Sequence, residues 1–244
     1  MKELSKSIVR RMADPSFTRR WFVGDGIDVG GKPDPLSLYT GFFPRLGVVR
    51  VWDWEDGDAQ LMAGVPTESQ DFIHSSHCLE HLVDPAAGLA AWFAAVKPGG
   101  FLIVTVPDED LYEQGAFPST FNRDHKWTFT VWKARSWSDL SINVIDLLRG
   151  LGEAADIERL ALLNATYRYD LPRYDQTLTP ITESGIEFVV RKRTNAEIAA
   201  GGLVSAATQP DPALRRHFNQ HLADHRRMKS DAQDNPPFED ESPL

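Results

Sequence analysis

The sequence predicts an α/β protein: a mostly parallel sheet with helices on both faces and an antiparallel pair of strands near the end. Three observations carry this. Short β-rich runs alternate with helical ones through the middle of the chain, and those runs are apolar at successive residues, as strands buried on both faces must be. Two further strand-like runs then follow one another late in the chain, across a polar connection that contains proline.

From Lys2 to Arg20 the chain is basic, with Leu4, Ile8 and Met12 at helical spacing and Val9 beside them. This reads as an amphipathic helix docked on a larger body. Strands are expected at Gly26–Val29, Val48–Trp52, Asp71–Ser75 and Phe101–Val106. A helix is expected from Cys78 to Val96 on the spacing of Leu79, Leu82, Leu89, Trp92, Phe93 and Val96, stopped by Lys97-Pro98-Gly99-Gly100. Asp108 to Trp137 breaks the rhythm, being rich in Phe, Trp, Pro, Asn and charge, and a loop of that length inside a domain is usually a lid or a binding segment. A helix near 138–151 follows, with Leu140, Ile142, Ile145, Leu147 and Leu148 as its apolar set. Strands near 157–169 and 186–191 form the antiparallel pair. A helix near 212–228 and a disordered acidic end complete the reading.

The 244 residues, 42% hydrophobic and 25% charged, suit one large domain or a domain with a tail, and exclude disorder of the whole chain. No apolar run reaches the ~18–20 residues of a membrane span, and no signal-peptide core follows the N-terminus. Cys78 is the only cysteine, which excludes an internal disulfide, argues against a cysteine-based zinc site and fits a reducing cytoplasm. A net charge of −9 argues against nucleic acid as the main ligand. The expected partner is a small molecule, with no nucleic acid and no membrane, for a monomer or homodimer.

In an open α/β sheet ligands bind at the carboxyl ends of the strands, near the switch in strand order. Four such ends are informative. Gly26-Ile27-Asp28-Val29-Gly30-Gly31 runs a strand into glycines that let a ligand approach the backbone, although a tight turn explains the pair equally well. Val51-Trp52-Asp53 places a carboxylate at a strand end, suited to a ribose diol. Gly57-Asp58-Ala59 sets an acid beside a small residue, where an exocyclic amino group would fit. Taken alone, either acid reads as a solvated turn residue. The fourth end is Asp71-Phe72-Ile73-His74-Ser75-Ser76-His77-Cys78-Leu79-Glu80-His81-Leu82-Val83-Asp84-Pro85, followed by Lys97-Pro98-Gly99-Gly100 and a strand ending Val106-Pro107-Asp108.

On these residues the chain resembles the class I S-adenosylmethionine-dependent methyltransferases, in the subgroup with an LEH…KPGG signature, from about Gly24 to Pro107 and more weakly through the last strand pair. The resemblance implies a Rossmann-like sheet and S-adenosylmethionine as cofactor. It implies Asp28 and Gly30 at the methionine end, Asp53 on the ribose, and Asp58 with the Ala59 backbone at the adenine. Ser76 and His77 would flank the cofactor, and His81 would support that loop. Two departures stand out. The family's glycine-rich loop would need glycines at Lys32 and Asp34, where this chain has Lys32-Pro33-Asp34-Pro35. Only four residues separate Asp53 from Asp58, where the family has a helix and a strand. Either the sheet lacks one strand or one of the two acids is misassigned.

His77-Cys78-Leu79-Glu80-His81 also matches H-x-x-E-H, an inverted zinc-peptidase motif. The methyltransferase pattern on both sides outweighs it, so no metal is expected. In the long segment, Trp127, Trp132 and Trp137 lie within eleven residues. His125 is the candidate general base and Asp124 the residue to orient it. Trp127, Tyr112, Tyr167 and Arg168 are candidates for the acceptor pocket, while core packing competes as the explanation of Trp132 and Trp137. The organisation expected is a docking helix over 1–20, a methyltransferase domain over 21–193 with a lid and acceptor segment at 108–137, and a helical then disordered acidic tail over 194–244. The expected activity is methyl transfer to O or N of a small molecule, a heteroaromatic metabolite or a sugar. The rivals are a related binding protein without catalysis and a nicotinamide oxidoreductase, the latter disfavoured because the first turn lacks G-x-G-x-x-G.

Overall fold

Strand β1 (Gly24–Val29) sits inside a six-stranded sheet because its apolar residues face both ways. The computed structural model describes residues 3–202, 220 and 222–230. With β2 (Leu46–Trp52), β3 (Gln70–Ser76), β4 (Val96–Pro107), β7 (Ala155–Leu163) and β8 (Gly185–Lys192), the order is β2-β1-β3-β4-β8-β7. The first four strands are parallel, and β8 runs antiparallel to both β4 and β7. Between β2 and β3 the backbone holds only a 3-10 turn, Trp54–Asp56, so the sheet is one strand short and β2 is its edge.

Alternation along the strands builds two cores. Ile73, Leu102, Val104 and Phe188 face α2 (Pro85–Ala95) and α3 (Val144–Arg149), packing on Leu89, Trp92, Leu147 and Leu148. Phe72, Ile103 and Val189 face the other way and pack with Leu4, Ile8, Phe17 and Trp21. The strand period of two assigns neighbouring residues to opposite cores.

The first helix is shorter than the sequence suggests. Helix α1 spans Leu4–Ala13 and stops before Pro15, whose ring disfavours helical backbone in the residue preceding it; a π-helical turn follows at Phe17–Trp21. Its buried face is Leu4, Ser7, Ile8 and Arg11, while Val9 and Met12 are exposed. Arg11 displaces Met12 because its guanidinium finds partners on the sheet. It donates to Glu187 Oε2 through Nη2 at 2.9 Å and to Thr105 Oγ1 at 3.2 Å, and its Nη1 stands 3.0 Å from His74 Nε2.

The expected helix from Cys78 is divided. Leu79–His81 is a 3-10 turn, and α2 begins only at Pro85, capped by the Asp84 side chain on the Ala87 N–H. Proline at the first helical position lacks only an N–H that would have no partner there. The expected helix near 138–151 shortens to α3, because Asn143 caps it by accepting from the Ile145 and Asp146 N–H groups. Residues Ser141–Asn143 form β6, paired in parallel with β5 (Thr128–Thr130) as a second, two-stranded sheet. Three-residue strands are too short to show a period, so the sequence gives no sign of either.

Met1–Gly202 is one unit and Leu203–Leu244 a second. Helix α4 (Asn195–Ala199) ends the first unit; in the second, 222–230 is helical, and the expected acidic end lies outside the described residues. Among the described residues no helix is long and apolar enough to cross a membrane.

Candidate active site

Strand order reverses between β1 and β3, since β2 lies on one side of β1 and every later strand of the main sheet on the other. The carboxyl ends of β1 and β3 therefore open a crevice at the switch point. A cavity of ≈ 1020 Å³ is lined there by Asp28 of β1 and Gly30 just after it, and by Ser76 at the end of β3 and His77 just after it. The turns after β2 add Asp53, Asp58 and Ala59, and the long segment adds Tyr112, Asp124 and His125. Residues spread over nearly a hundred positions thus share one space.

Gly30 has φ +69°, and a Cβ there would stand 2.7 Å from Cys78 Cβ, so only glycine fits. Burial pushes the Cys78 thiol up to about 12, which disfavours its thiolate. Asp28 is buried and engaged on both sides: Oδ1 lies 2.6 Å from His74 Nδ1, and Oδ2 accepts the Leu36 N–H at 2.6 Å. Asp28, His74, Arg11 and Glu187 thus form one buried chain that runs inward from the crevice wall. Asp53 accepts the N–H groups of Lys32 and Trp54 while half-exposed at the cavity edge. Asp58 is exposed and Ala59 half-buried, the Ala59 carbonyl accepting from the Trp92 indole at 2.7 Å.

The Lys32–Pro35 turn follows its own path. The buried Asp34 carboxylate accepts the Ser5 N–H at 2.7 Å and the Tyr39 hydroxyl, pinning the turn to the start of α1. Glu3 and Leu4 thereby line the cavity, a wall that no glycine-rich motif foretold.

The segment 122–127 docks on the Leu79–His81 turn through four contacts. The Lys126 N–H donates to Glu80 O at 2.9 Å, Lys126 Nζ to His81 O, the Trp127 indole to Leu82 O at 3.1 Å, and His81 Nδ1 to Asp124 O at 3.1 Å. This places His125, 7% exposed, beside Glu80. Asp124 does not orient His125: its side chain is exposed and its carbonyl meets His81 instead. The orienting carboxylate is Glu113, with Oε1 2.7 Å from His125 Nδ1. Sequence reasoning missed it, since a glutamate twelve residues away on a π-helical turn carries no periodic signal.

Glu80 has no exposure, and neither oxygen has a hydrogen-bond partner. His77 Nδ1 stands 3.4 Å from Oε1, His125 Nε2 at 3.8 Å and His81 Nε2 at 3.9 Å. Burial alone would raise the Glu80 pKa, but the imidazoles of His77, His125 and His81 outweigh it and hold the carboxylate below its usual range. The same pair works in reverse on His77, where burial is outweighed by Glu80 and the imidazolium is favoured. His77 also adopts φ +57°, uncommon for a residue with a side chain. Tyr112 OH and Glu113 Oε2 are buried without partners nearby, the Tyr112 and His125 rings lying 5.1 Å apart.

The remaining candidates lie elsewhere. Trp127 is half-buried against the core and does not line the cavity. Tyr167 packs on Tyr169, and Arg168 pairs with Asp170 at the surface. Trp132 and Trp137 are 76% and 40% exposed, which removes the core-packing explanation for both.

An open sheet with a cavity at its switch point, glycine at the first strand end and an acid at the second, defines a nucleotide-type cofactor-binding α/β protein. Residues 15–150 match the family model described as a methyltransferase domain, and the chain belongs to that family. Its cofactor is S-adenosylmethionine. No curated protein matches the chain. Among solved structures, a candidate methyltransferase from Bacillus halodurans C-125 is 14% identical and covers 77% of this chain and 99% of its own, with a TM-score of 0.50. A SAM-dependent methyltransferase from Archaeoglobus fulgidus is 16% identical, covering 79% and 95%, with a TM-score of 0.48. The first of these likenesses shows the fold.

Proposed function

We propose that this methyltransferase moves the methyl group of S-adenosylmethionine to oxygen or nitrogen of a small molecule, with His125 serving the acceptor. The observation that carries this reading is the His125–Glu113 pair. A carboxylate on Nδ1 fixes the imidazole tautomer, so the Nε2 lone pair is free to serve the acceptor in the cavity. When bound, the cofactor supplies a methyl group already activated on sulfonium, so the protein's share is to align the acceptor, exclude water and assist loss of its proton.

The cofactor roles are those the family resemblance implies, and every residue that carries one lines the cavity. Asp53 takes the ribose hydroxyls, Asp58 and the Ala59 backbone meet the adenine, and Asp28, Gly30, Ser76 and His77 border the methionine end. Asp28 acts there by holding the Leu36 N–H and His74 in place, since both its oxygens are engaged. The acceptor wall of Tyr112, His81 and His125 is aromatic and suits a flat heteroaromatic ring, with a sugar as the other candidate. Cavity size favours a small molecule, since ≈ 1020 Å³ must hold cofactor and acceptor together.

Calorimetric titration with S-adenosylmethionine, and separately with NADH, tests the assignment. Binding of the first alone supports it; binding of NADH alone refutes it. With an acceptor in hand, His125→Ala lowers turnover by about 10²-fold or more while cofactor affinity stays nearly unchanged. Unchanged turnover would remove His125 from the role.

A further inference from the structure

We propose that Glu80, His81 and His125 form a binding site for a divalent transition-metal cation, with its open coordination positions turned to the cavity. One ligand atom from each lies within 4.8 Å of the other two. A cation about 2.1 Å from each ligand in tetrahedral geometry sets ligand atoms about 3.4 Å apart. The separations of 3.8 and 3.9 Å from Glu80 Oε1 to the two imidazoles therefore need to close by roughly half an ångström. The two imidazole nitrogens lie within 4.8 Å of each other, and binding would bring them to the same spacing.

Two independent observations point to a ligand. Glu80 is wholly buried and neither oxygen has a hydrogen-bond partner, its nearest charged neighbour being His77 Nδ1 at 3.4 Å from Oε1, although a buried carboxylate normally accepts several hydrogen bonds. Both histidines also carry the outer contact typical of metal ligands. His81 Nδ1 is bonded to the Asp124 carbonyl and His125 Nδ1 to the Glu113 carboxylate. Each contact fixes the tautomer with the lone pair on Nε2, the nitrogen that faces Glu80. Two imidazoles and one carboxylate suit zinc, manganese, iron or cobalt and disfavour calcium or magnesium, which prefer all-oxygen sets.

The location rests on geometry alone, whereas the cation's use rests on reading the cavity as the methyl-transfer site. There the cation would draw the acceptor heteroatom and lower its pKa, and the proton would leave to solvent. A heteroatom electron pair then forms the bond to the methyl carbon, the carbon–sulfur bond breaks, and sulfur keeps its pair in S-adenosylhomocysteine. With the cation bound, the His125 Nε2 lone pair is used in holding it, so His125 would assist proton loss through the cation and not by taking the proton itself.

The test uses the full chain without a polyhistidine tag, dialysed against chelator and titrated with Co²⁺. Expected are visible d–d bands that saturate at one equivalent and disappear when Zn²⁺ displaces cobalt. Glu80→Gln, His81→Ala and His125→Ala should each weaken Co²⁺ binding by more than tenfold, and Glu113→Gln by about tenfold through its outer contact. Asp58→Asn, in the same cavity but outside the cluster, should bind cobalt as the parent does. Far-ultraviolet circular dichroism reports folding of every variant. A natively folded parent without d–d bands at one equivalent overturns the site, as do bands undiminished in folded His81→Ala/His125→Ala. A parallel S-adenosylmethionine titration separates the two readings: cofactor binding without cobalt binding sinks the cation site alone, and the converse sinks the methyltransferase assignment alone.

Discussion

Glu187→Gln tests whether the buried ion cluster inward of the crevice is a large part of this fold's stability. Glu187 has no exposure and faces three guanidinium groups, with Arg10 at 2.8 Å, Arg11 at 2.9 Å and Arg159 at 3.1 Å. The substitution keeps the shape and removes the charge, leaving the wholly buried Arg11 without its counter-ion. Breaking a buried pair from one side costs about 3–5 kcal/mol. The acid's own titration gives a second route. Burial would raise the Glu187 pKa, but Arg11, Arg10 and Arg159 outweigh it and bring it from 4.5 down to about 2. That shift corresponds to about 3 kcal/mol of extra stability for the ionised form. Because the folded-state pKa is depressed, the contribution is full above the unfolded value of 4.5 and is lost as pH falls through about 2. Urea denaturation followed by circular dichroism should show a gap of about 3 kcal/mol between parent and variant at neutral pH, nearly closed once pH approaches the folded-state value. A neutral-pH gap below about 1 kcal/mol, or one that does not shrink on acidification, refutes the reasoning.

Other residues make further predictions. Burial raises Asp108, a cap on the Asp110 and Leu111 N–H groups, from 3.8 to about 6. The protonated acid is therefore favoured on folding, and the gain present below 3.8 is lost as pH rises through about 6. Asp108→Asn should stabilise the protein at pH above that range, by at most about 3 kcal/mol, and be neutral below it in pH-resolved thermal melts. Gly30→Ala combines left-handed strain of about 1–2 kcal/mol with a clash on Cys78, and isothermal titration should show cofactor affinity down by about tenfold or more. Glu113→Gln should lower turnover, because an amide can present its N–H to His125 and reverse the tautomer; an unchanged pH–rate profile would count against Glu113 as the positioning residue.

Much of the proposed cofactor half of the cavity is legible in the chain because it consists of strand ends. Asp28-Val29-Gly30, Trp52-Asp53 and Ser76-His77 lie where a strand stops, and parallel strands in register carry their ends to one edge of the sheet. The short interval between Asp53 and Asp58 likewise reported a real difference, the missing strand. The acceptor half is another matter. Glu113, His125 and Glu80 meet only because segment 122–127 docks on the turn after β3, through contacts that span more than forty residues. Trp127 looked like a pocket residue by its neighbours, yet its indole bonds to a backbone carbonyl and its ring faces the core.

What the sequence by itself determined is the parallel sheet, the antiparallel strand pair and the edge at which a cofactor would lie, because hydrophobic period and strand-end chemistry are local. Only the tertiary structure decided that Arg11 is buried while Met12 is exposed, that Glu113 and not Asp124 holds His125, and that Glu80 lies among three imidazoles without a hydrogen bond to any of them. Each of these depends on which charged groups meet across long loops. A buried charge is tolerated only where another segment supplies its partner, and that pairing is set by packing rather than by spacing along the chain.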